Sequence, residues 1–200
     1  MNQQNQFSIV TKEYLDAFHC ILDNMIQGMT EAELSDSISH NFIVQMIPHH
    51  QAAIEMSENL LKYTTNIPLQ EIALQIVKEQ TASIENMKEI ESCCSDMENG
   101  AEEVCQYQER MGQIMETMFT AMRNAPAVND INCNFIWEMI PHHKGAVEMS
   151  ELTLRYPICP ELIPVLQAII TSQKRGIMQM QRLMQRMSCG SGRRRTGLFW

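Results

Sequence analysis

The chain has no apolar run approaching the about 18 residues that a membrane-spanning helix needs, so no transmembrane span is expected. Its first residues, MNQQNQFSIVTKEYLDAF, lack the basic end and following apolar stretch of a secretory signal, and a cytoplasmic location is expected for the chain as given. Basic residues are few: 15 Lys and Arg stand against 24 Asp and Glu, for a formal net charge of −9. Three of the 15 are Arg193, Arg194 and Arg195, and without them the body carries 12 basic against 24 acidic residues, or −12. Such a body repels phosphate backbones, which argues against nucleic acid as a partner. It attracts cations only weakly and without selectivity. The seven cysteines (Cys20, Cys93, Cys94, Cys105, Cys133, Cys159 and Cys189) show no Cys-x-x-Cys spacing. A disulfide framework fits a chain of this size and scatter poorly, and free, mostly buried thiols are expected. The adjacent Cys93 and Cys94 are candidates for extra thiolate ligands. A Ser–His–Asp constellation, a phosphate-binding glycine loop and a zinc-type cysteine cluster all lack support. Aromatics are scarce at 6%, with 8 Gly and 7 Pro, and no segment shows the strict alternation of a half-buried strand.

What the chain does have is methionine, 17 residues of it, and a repeat. Methionine forms helices well and fills cores, and its thioether is also a soft metal ligand. Shifting the chain by 93 positions lays NFIVQMIPHHQAAIEMSENLLKY (41–63) on NFIWEMIPHHKGAVEMSELTLRY (134–156), with 15 of 23 positions identical. The same shift pairs Tyr14 with Tyr107, Met25 with Met118, Met29 with Met122, Gln80 with Gln173 and Met87 with Met180, without a slip of register. A duplication follows. Residues 1–93 form a first helical repeat and 94–187 a second, and the two are expected to pack as one domain. A tail at 188–200, rich in Gly, Ser and Arg without period, is expected to be disordered.

Each repeat reads as three helices. The first spans 7–29 and 101–123, where Phe18, Leu22, Met25 and Met29, and then Met111, Met115, Met118 and Met122, draw an apolar stripe. The second spans 40–63 and 133–156, with Asp36, Ser39 or Asn41 as caps for one copy and Asp130, Asn132 or Asn134 for the other. The third spans 68–92 and 161–187, with Pro68, and Pro160 or Pro164, suited to the starts. The predicted fold is all-α, an antiparallel helical bundle in which the second and third helices of both copies supply four rods. Self-association into a homo-oligomer is left open.

The sharpest chemical signal is histidine. Four of the six His residues are His49, His50, His142 and His143, the same pair in each copy. With Met46 as zero on a helix turning about 100° per residue, His49 falls at about −60°, His50 at about +40° and Met56 at about −80°. Met46, His49 and Met56 thus share a face with His50 at its edge, and Met139, His142, His143 and Met149 repeat the arrangement. Two adjacent His residues point different ways, so one is expected to face the bundle and the other a rim or a neighbouring site. Imidazole nitrogen and thioether sulfur together suit copper(I) and disfavour magnesium or calcium. Pro48 and Pro141 precede the pairs, either inside a kinked continuous helix or at the first position of a new one. Met25, Met29, Met118 and Met122 remain Met in both copies and are further ligand candidates beside their use as core filler. Met111, Met115, Met87 and Met180 read as core.

At MIPHHQAAIEMS and MIPHHKGAVEMS the chain resembles the signature of the DUF305 family, ferritin-like helical bundles of bacteria. The likeness extends to the third helices through Gln80, Ile84 and Met87, and Gln173, Ile177 and Met180. Characterised members bind copper or silver and are linked to metal tolerance, and members are often exported or membrane-anchored. The resemblance therefore implies Met46, His49, His50 and Met56, with Met139, His142, His143 and Met149, as ligands for Cu(I) or Ag(I). A protein that buffers or carries such an ion needs no catalytic residue, and no enzyme is expected. A di-iron oxidase would need Glu-x-x-His motifs, which are absent here: Glu138 lies four residues before His142, and His50 five before Glu55. A metal-free helical interaction module, with His and Met as packing residues, is the other reading.

Overall fold

A computed structural model describes residues 7–187 and 189, and the predicted disordered tail at 188–200 falls, Cys189 apart, outside the described residues. Six helices follow one another: α1 (Ile9–Thr30), α2 (Ile38–Leu61), α3 (Ile67–Ser95), α4 (Ala101–Arg123), α5 (Ile131–Thr153) and α6 (Leu162–Met187). No strand occurs among the described residues. Helix α2 packs on α1, α3 and α5, helix α5 on α4 and α6, and α3 on α6. Helices α2, α3, α5 and α6 thus make the central bundle, and α1 and α4 cover its two outer faces. None of the helices is long and apolar enough to cross a membrane.

Local chemistry sets the helix starts. Ser8 Oγ accepts the Thr11 N–H at 3.1 Å, Asn66 Oδ1 that of Leu69 at 3.1 Å, and Asp130 Oδ1 that of Asn132 at 3.0 Å. These side chains satisfy donors that the first helical turn leaves open. For α2 the cap is Ser37, which accepts from the His40 N–H, and not Asp36, Ser39 or Asn41. Two of the expected caps have other work. Ser39 Oγ accepts from the Cys159 N–H at 2.9 Å, and Asn41 closes the preceding loop by bonding both backbone groups of Ser35. Asn134 makes the same two bonds to Val128, 93 residues further on. Pro48 and Pro141 lie inside unbroken helices.

One continuous apolar core runs through both halves. It contains Met25, Met29, Met118 and Met122, and also Met46, Met56, Met139 and Met149. A buried bond crosses the halves where the Tyr14 hydroxyl donates to Glu138 Oε2 at 2.6 Å. Burial pushes the Glu138 carboxyl up to about 8, against the opposing pull of the Tyr14 bond. The equivalent Tyr107 hydroxyl lies 3.1 Å from Thr153 Oγ1, whose own proton goes to the Met149 carbonyl at 2.8 Å, so Tyr107 is the donor there.

The expectation of free, mostly buried thiols is corrected at two points. Cys133 and Cys189 form a disulfide that ties the first turn of α5 to the residue beyond α6. Of the free cysteines, Cys20, Cys93 and Cys105 are exposed and only Cys94 and Cys159 are buried. Spacing along the chain could not show the disulfide, because an antiparallel pair of helices brings together residues 56 apart in sequence.

Helix α1 passes close over Pro48. A Cβ added to Gly28 would lie 2.8 Å from Pro48 Cβ, and the rigid pyrrolidine ring cannot give way. Gly112, exposed in α4, has nothing within 4 Å of such an atom. Gly112→Ala is expected to stabilise by about 1 kcal/mol through helix propensity. Gly28→Ala gains the same propensity but overpacks at a cost of about 1–3 kcal/mol, so it should fall below Gly112→Ala in urea unfolding; equal gains would contradict the close packing. Tyr14→Phe strips a buried carboxyl of its donor and should cost about 1–3 kcal/mol. Tyr107→Phe, whose acceptor keeps its bond to Met149, should cost less in the same measurement.

Candidate metal centre

The two histidine pairs meet in the middle of the bundle where α2 crosses α5. The His49 and His142 rings stack with centroids 3.7 Å apart and planes 28° from parallel. Each ring reaches past the other to the opposite backbone: His49 Nε2 is 3.2 Å from the His142 carbonyl, and His142 Nε2 is 3.0 Å from the His49 carbonyl. A carbonyl only accepts, so both Nε2 atoms carry the proton and both Nδ1 atoms are left with a lone pair. His50 stands beside His49 with ring centroids 5.8 Å apart, and His143 beside His142 at 5.9 Å. The order His50, His49, His142, His143 is therefore a continuous row of four imidazoles across the interface.

All four rings are buried, so of the two places expected for the second ring of each pair, a rim or a neighbouring site, the rim is excluded. Helix α2 is covered by α5 on one side and by α3 on the other, so neighbouring residues about 100° apart both point inward. His49 turns to α5, whereas His50 turns to α3, where its Nε2 lies 3.1 Å from Ser83 Oγ. Residue 176 is the counterpart of Ser83 at the 93-residue shift, and it is glycine: a Cβ there would lie 2.9 Å from the His143 ring. Glycine is needed at this point because α6 approaches the imidazole so closely.

Burial sets the protonation state. It holds His50 down at about 3 and His142 at about 4, and it keeps His49 and His143 well below the ordinary imidazole range. Repulsion from neighbouring imidazoles adds to the effect at His49, His50 and His143, while the bond to the His49 carbonyl opposes it at His142. The rings are neutral at neutral pH, the form that ligates metals. The Nδ1 atom of each of the four rings is buried without a hydrogen-bond partner. An unsatisfied buried polar atom costs about 1–3 kcal/mol, and four in one row are four lone-pair or N–H sites held out of water. The donor set fits a soft ion: neutral imidazole nitrogens stand in a core that also holds the thioethers of Met46, Met56, Met139 and Met149. Among the described residues no three imidazole nitrogens lie within 4.8 Å of one another, so a three-histidine cage of the zinc-enzyme type is not assembled.

The structure also brings in residues that the sequence reading did not assign to the site. Gln80 on α3 and Gln173 on α6 are buried, with both amide atoms of Gln80 and the Oε1 of Gln173 unpartnered. They line a cleft of about 540 Å³ between α3 and α6 that reaches His50, and a void of about 10 Å³ beside His143. Their signal was available: Gln is the same in both repeats on a helix face otherwise made of Ile and Met.

Because the imidazoles are depressed in the folded state, the unfolded chain binds more protons below its ordinary value of about 6.5. Their stabilising contribution is complete above that pH and is lost as pH falls toward about 4 for His142 and about 3 for His50. Glu138 acts in the opposite sense, since its raised carboxyl favours the folded state until pH rises toward about 8. Comparing His50→Gln with the wild type isolates one group. The variant is expected to gain relative stability as the apo protein is taken from about pH 7 to about pH 4. A difference that stays constant over that range in thermal unfolding would contradict the assignment.

The profile of the family described as Domain of unknown function (DUF305) matches residues 39–184. Among solved structures, CopM in a silver-bound form obtained by soaking is 28% identical with a TM-score of 0.56, covering 74% of this chain and 95% of that one. The apo form of CopM is 28% identical with a TM-score of 0.55, covering 74% and 96%. A DUF305 fragment from Deinococcus radiodurans is 22% identical with a TM-score of 0.55 over the same shares, a likeness of fold. No curated protein matches the chain. The duplicated Met-Ile-Pro-His-His segments, the six-helix architecture and a profile match that takes in α2 to α6 lead to one conclusion: the chain belongs to the DUF305 family.

Proposed function

We propose that this protein binds and buffers a soft monovalent ion, copper(I) or silver(I), as cargo. The donors are the imidazoles of His49, His50, His142 and His143 and the thioethers of Met46, Met56, Met139 and Met149. The observation that carries the reading is the row of four buried, neutral imidazoles, each with an unpartnered Nδ1. Packing alone has no use for such atoms. The silver-bound form of CopM, at 28% identity, supports the same class of ion. Met25, Met29, Met118 and Met122 are buried in the same core and are further candidate thioether donors. Binding rather than catalysis is proposed, since the site requires only ligands that hold and release the ion. The cleft between α3 and α6, with Gln80 and Gln173 on its walls, gives the ion a way to His50.

A metal-free helical module is favoured by one observation: every candidate methionine packs in the apolar core, as a purely structural residue would. Thermal stability separates the two readings. An ion bound only by the folded state at a hundredfold excess over its Kd adds about 2.7 kcal/mol, so the melting temperature of the reduced protein should rise with copper(I) or silver(I). In parallel, copper(I) is titrated into the reduced apo protein against a chromophoric chelator. Replacing His49, His50, His142 and His143 together by Ala should weaken binding at these ligands by at least about tenfold, since even loss of an outer-shell partner costs about 10–100-fold. Unchanged affinity and stoichiometry in that variant would refute the proposal.

A further inference from the structure

At the opposite end of α2 from its junction with α3, three cysteines come together. Cys93 and Cys94 occupy the last turn of α3, and Cys159 lies in the link between α5 and α6. Their sulfurs all lie within 4.8 Å of one another, the one such group of three His, Cys, Asp or Glu donors among the described residues. Cys94 and Cys159 are buried and Cys93 is open to solvent. Hydrogen bonds from the start of α2 fix the corner. Ser37 Oγ donates to the Cys94 carbonyl at 2.9 Å, and Ser39 Oγ accepts from the Cys159 N–H at 2.9 Å. Asn99 accepts from the Ile38 N–H at 2.9 Å and donates to the Pro157 carbonyl at 2.8 Å, pinning the link that carries Cys159.

We propose that Cys93, Cys94 and Cys159 form a three-thiolate site for a soft monovalent ion, copper(I) or silver(I), separate from the histidine row. Ser39, which braces the corner, is ten residues from His49, or about 15 Å along the helix axis. Metal–sulfur bonds of about 2.3 Å in a flat triangle put the sulfurs about 4 Å apart, which the cluster already allows. The ligand number selects the ion. Structural zinc takes four ligands, whereas three thiolates without a fourth donor in the group suit copper(I). Glu161 touches only one of the three, its Oε2 accepting from the Cys159 thiol at 2.9 Å. The Cys93 thiol donates to the Ile90 carbonyl at 3.0 Å. On loading, each ligating thiol passes its proton to solvent and exchanges such a bond for one to the metal.

The other half of the molecule supplies a built-in contrast. At the 93-residue shift Cys94 corresponds to Met187 and Cys159 to Asn66, and Asn66 Nδ2 lies 3.8 Å from Met187 Sδ. The fold brings these positions together at both ends: one end carries the three thiols, and the other carries the Asn66–Met187 contact, with Cys189 of the disulfide two residues beyond Met187. The cluster is therefore no by-product of the duplicated histidine motif, and it does not depend on the reading of that motif.

The test uses the full chain, reduced under anaerobic conditions and titrated with copper(I). The near-ultraviolet thiolate-to-copper charge-transfer absorption is expected to reach the plateau of one thiolate-bound copper(I) in the wild type and the same plateau in the variant lacking His49, His50, His142 and His143. Cys93→Ser, at an exposed position that folding does not need, should weaken the copper(I) responsible for that band by at least about tenfold. The Cys93→Ser/Cys94→Ala/Cys159→Ala variant should lose the band altogether while keeping the copper(I) bound by the histidine row. A band absent from the reduced wild type overturns the proposal, as does one that survives in the triple variant through the remaining Cys20, Cys105, Cys133 and Cys189. Preferential occupation by zinc(II), seen as displacement of copper(I) at equal concentration, overturns the choice of ion.

Discussion

Two imidazole rings stacked 3.7 Å apart in an apolar core disfavour charge on either one. That constraint organises the molecule. His49 and His142 each hand a proton-bearing nitrogen to the backbone carbonyl of the other helix. The exchange fixes the tautomer of both rings and clamps α2 against α5, while burial holds the rings neutral. Because it is reciprocal, neither half can shift along the other without breaking two buried bonds at once. A polar clamp in an apolar setting specifies register more sharply than apolar packing, which tolerates slippage at lower cost. The price of the clamp is the pair of Nδ1 atoms turned away from it, and the outer rings of His50 and His143 add two more. The contact that fixes the register thus also creates the lone pairs available to an ion.

Around this clamp the methionines serve two ends that cannot be separated by position. Met46, Met56, Met139 and Met149 are fully enclosed, as are Met29 and Met122. An unbranched thioether fills an irregular interior and remains a soft ligand. Leucine would pack equally well and offer no donor, and a thiol would introduce a proton that titrates. A core of methionine around neutral imidazoles therefore favours a soft ion through its sulfur and nitrogen donors. The acidic surface, with no buried carboxylate in the row itself, contributes attraction without selectivity.

Much of the architecture was legible because it is written twice. The apolar stripe from Phe18 to Met29 and its copy from Met111 to Met122 mark the same helix, and the repeated Met-Ile-Pro-His-His segment marks the next. The rarity of His elsewhere singled out the two pairs. What a linear reading could not supply was the relation between the halves. Helical angles put His50 at the edge of a face, and only the packing of α3 on α2 turns that edge into interior. Likewise the caps of α2 were misplaced by a residue or more because Ser39 is drawn into a bond with Cys159, 120 positions away. The Cys133–Cys189 bridge and the meeting of Cys94 with Cys159 are facts of tertiary structure that no spacing encodes.

The differences between the halves are as informative as the identities. Position 45 is Gln where its counterpart 138 is Glu, and the carboxyl is retained by the hydroxyl of Tyr14 from the other half. Gln45 instead donates to the Met29 carbonyl at 3.3 Å. Position 83 is Ser where 176 is Gly, so His50 has a hydroxyl partner beside a cleft of about 540 Å³, whereas His143 is pressed by α6 beside a void of about 10 Å³. The duplicated motif therefore does not make two equivalent sites. It makes one row with a wide cleft at one end and a narrow one at the other, joined by the stacked pair in the middle. On the proposed reading an ion arriving from solvent has the wider way in at His50. The same divergence places three thiols at one corner of the bundle and an Asn–Met contact, with a disulfide just beyond it, at the other. The positions that match at the 93-residue shift give the two halves a common frame, and the differences at the few positions that touch the histidines and the corners give that frame a direction.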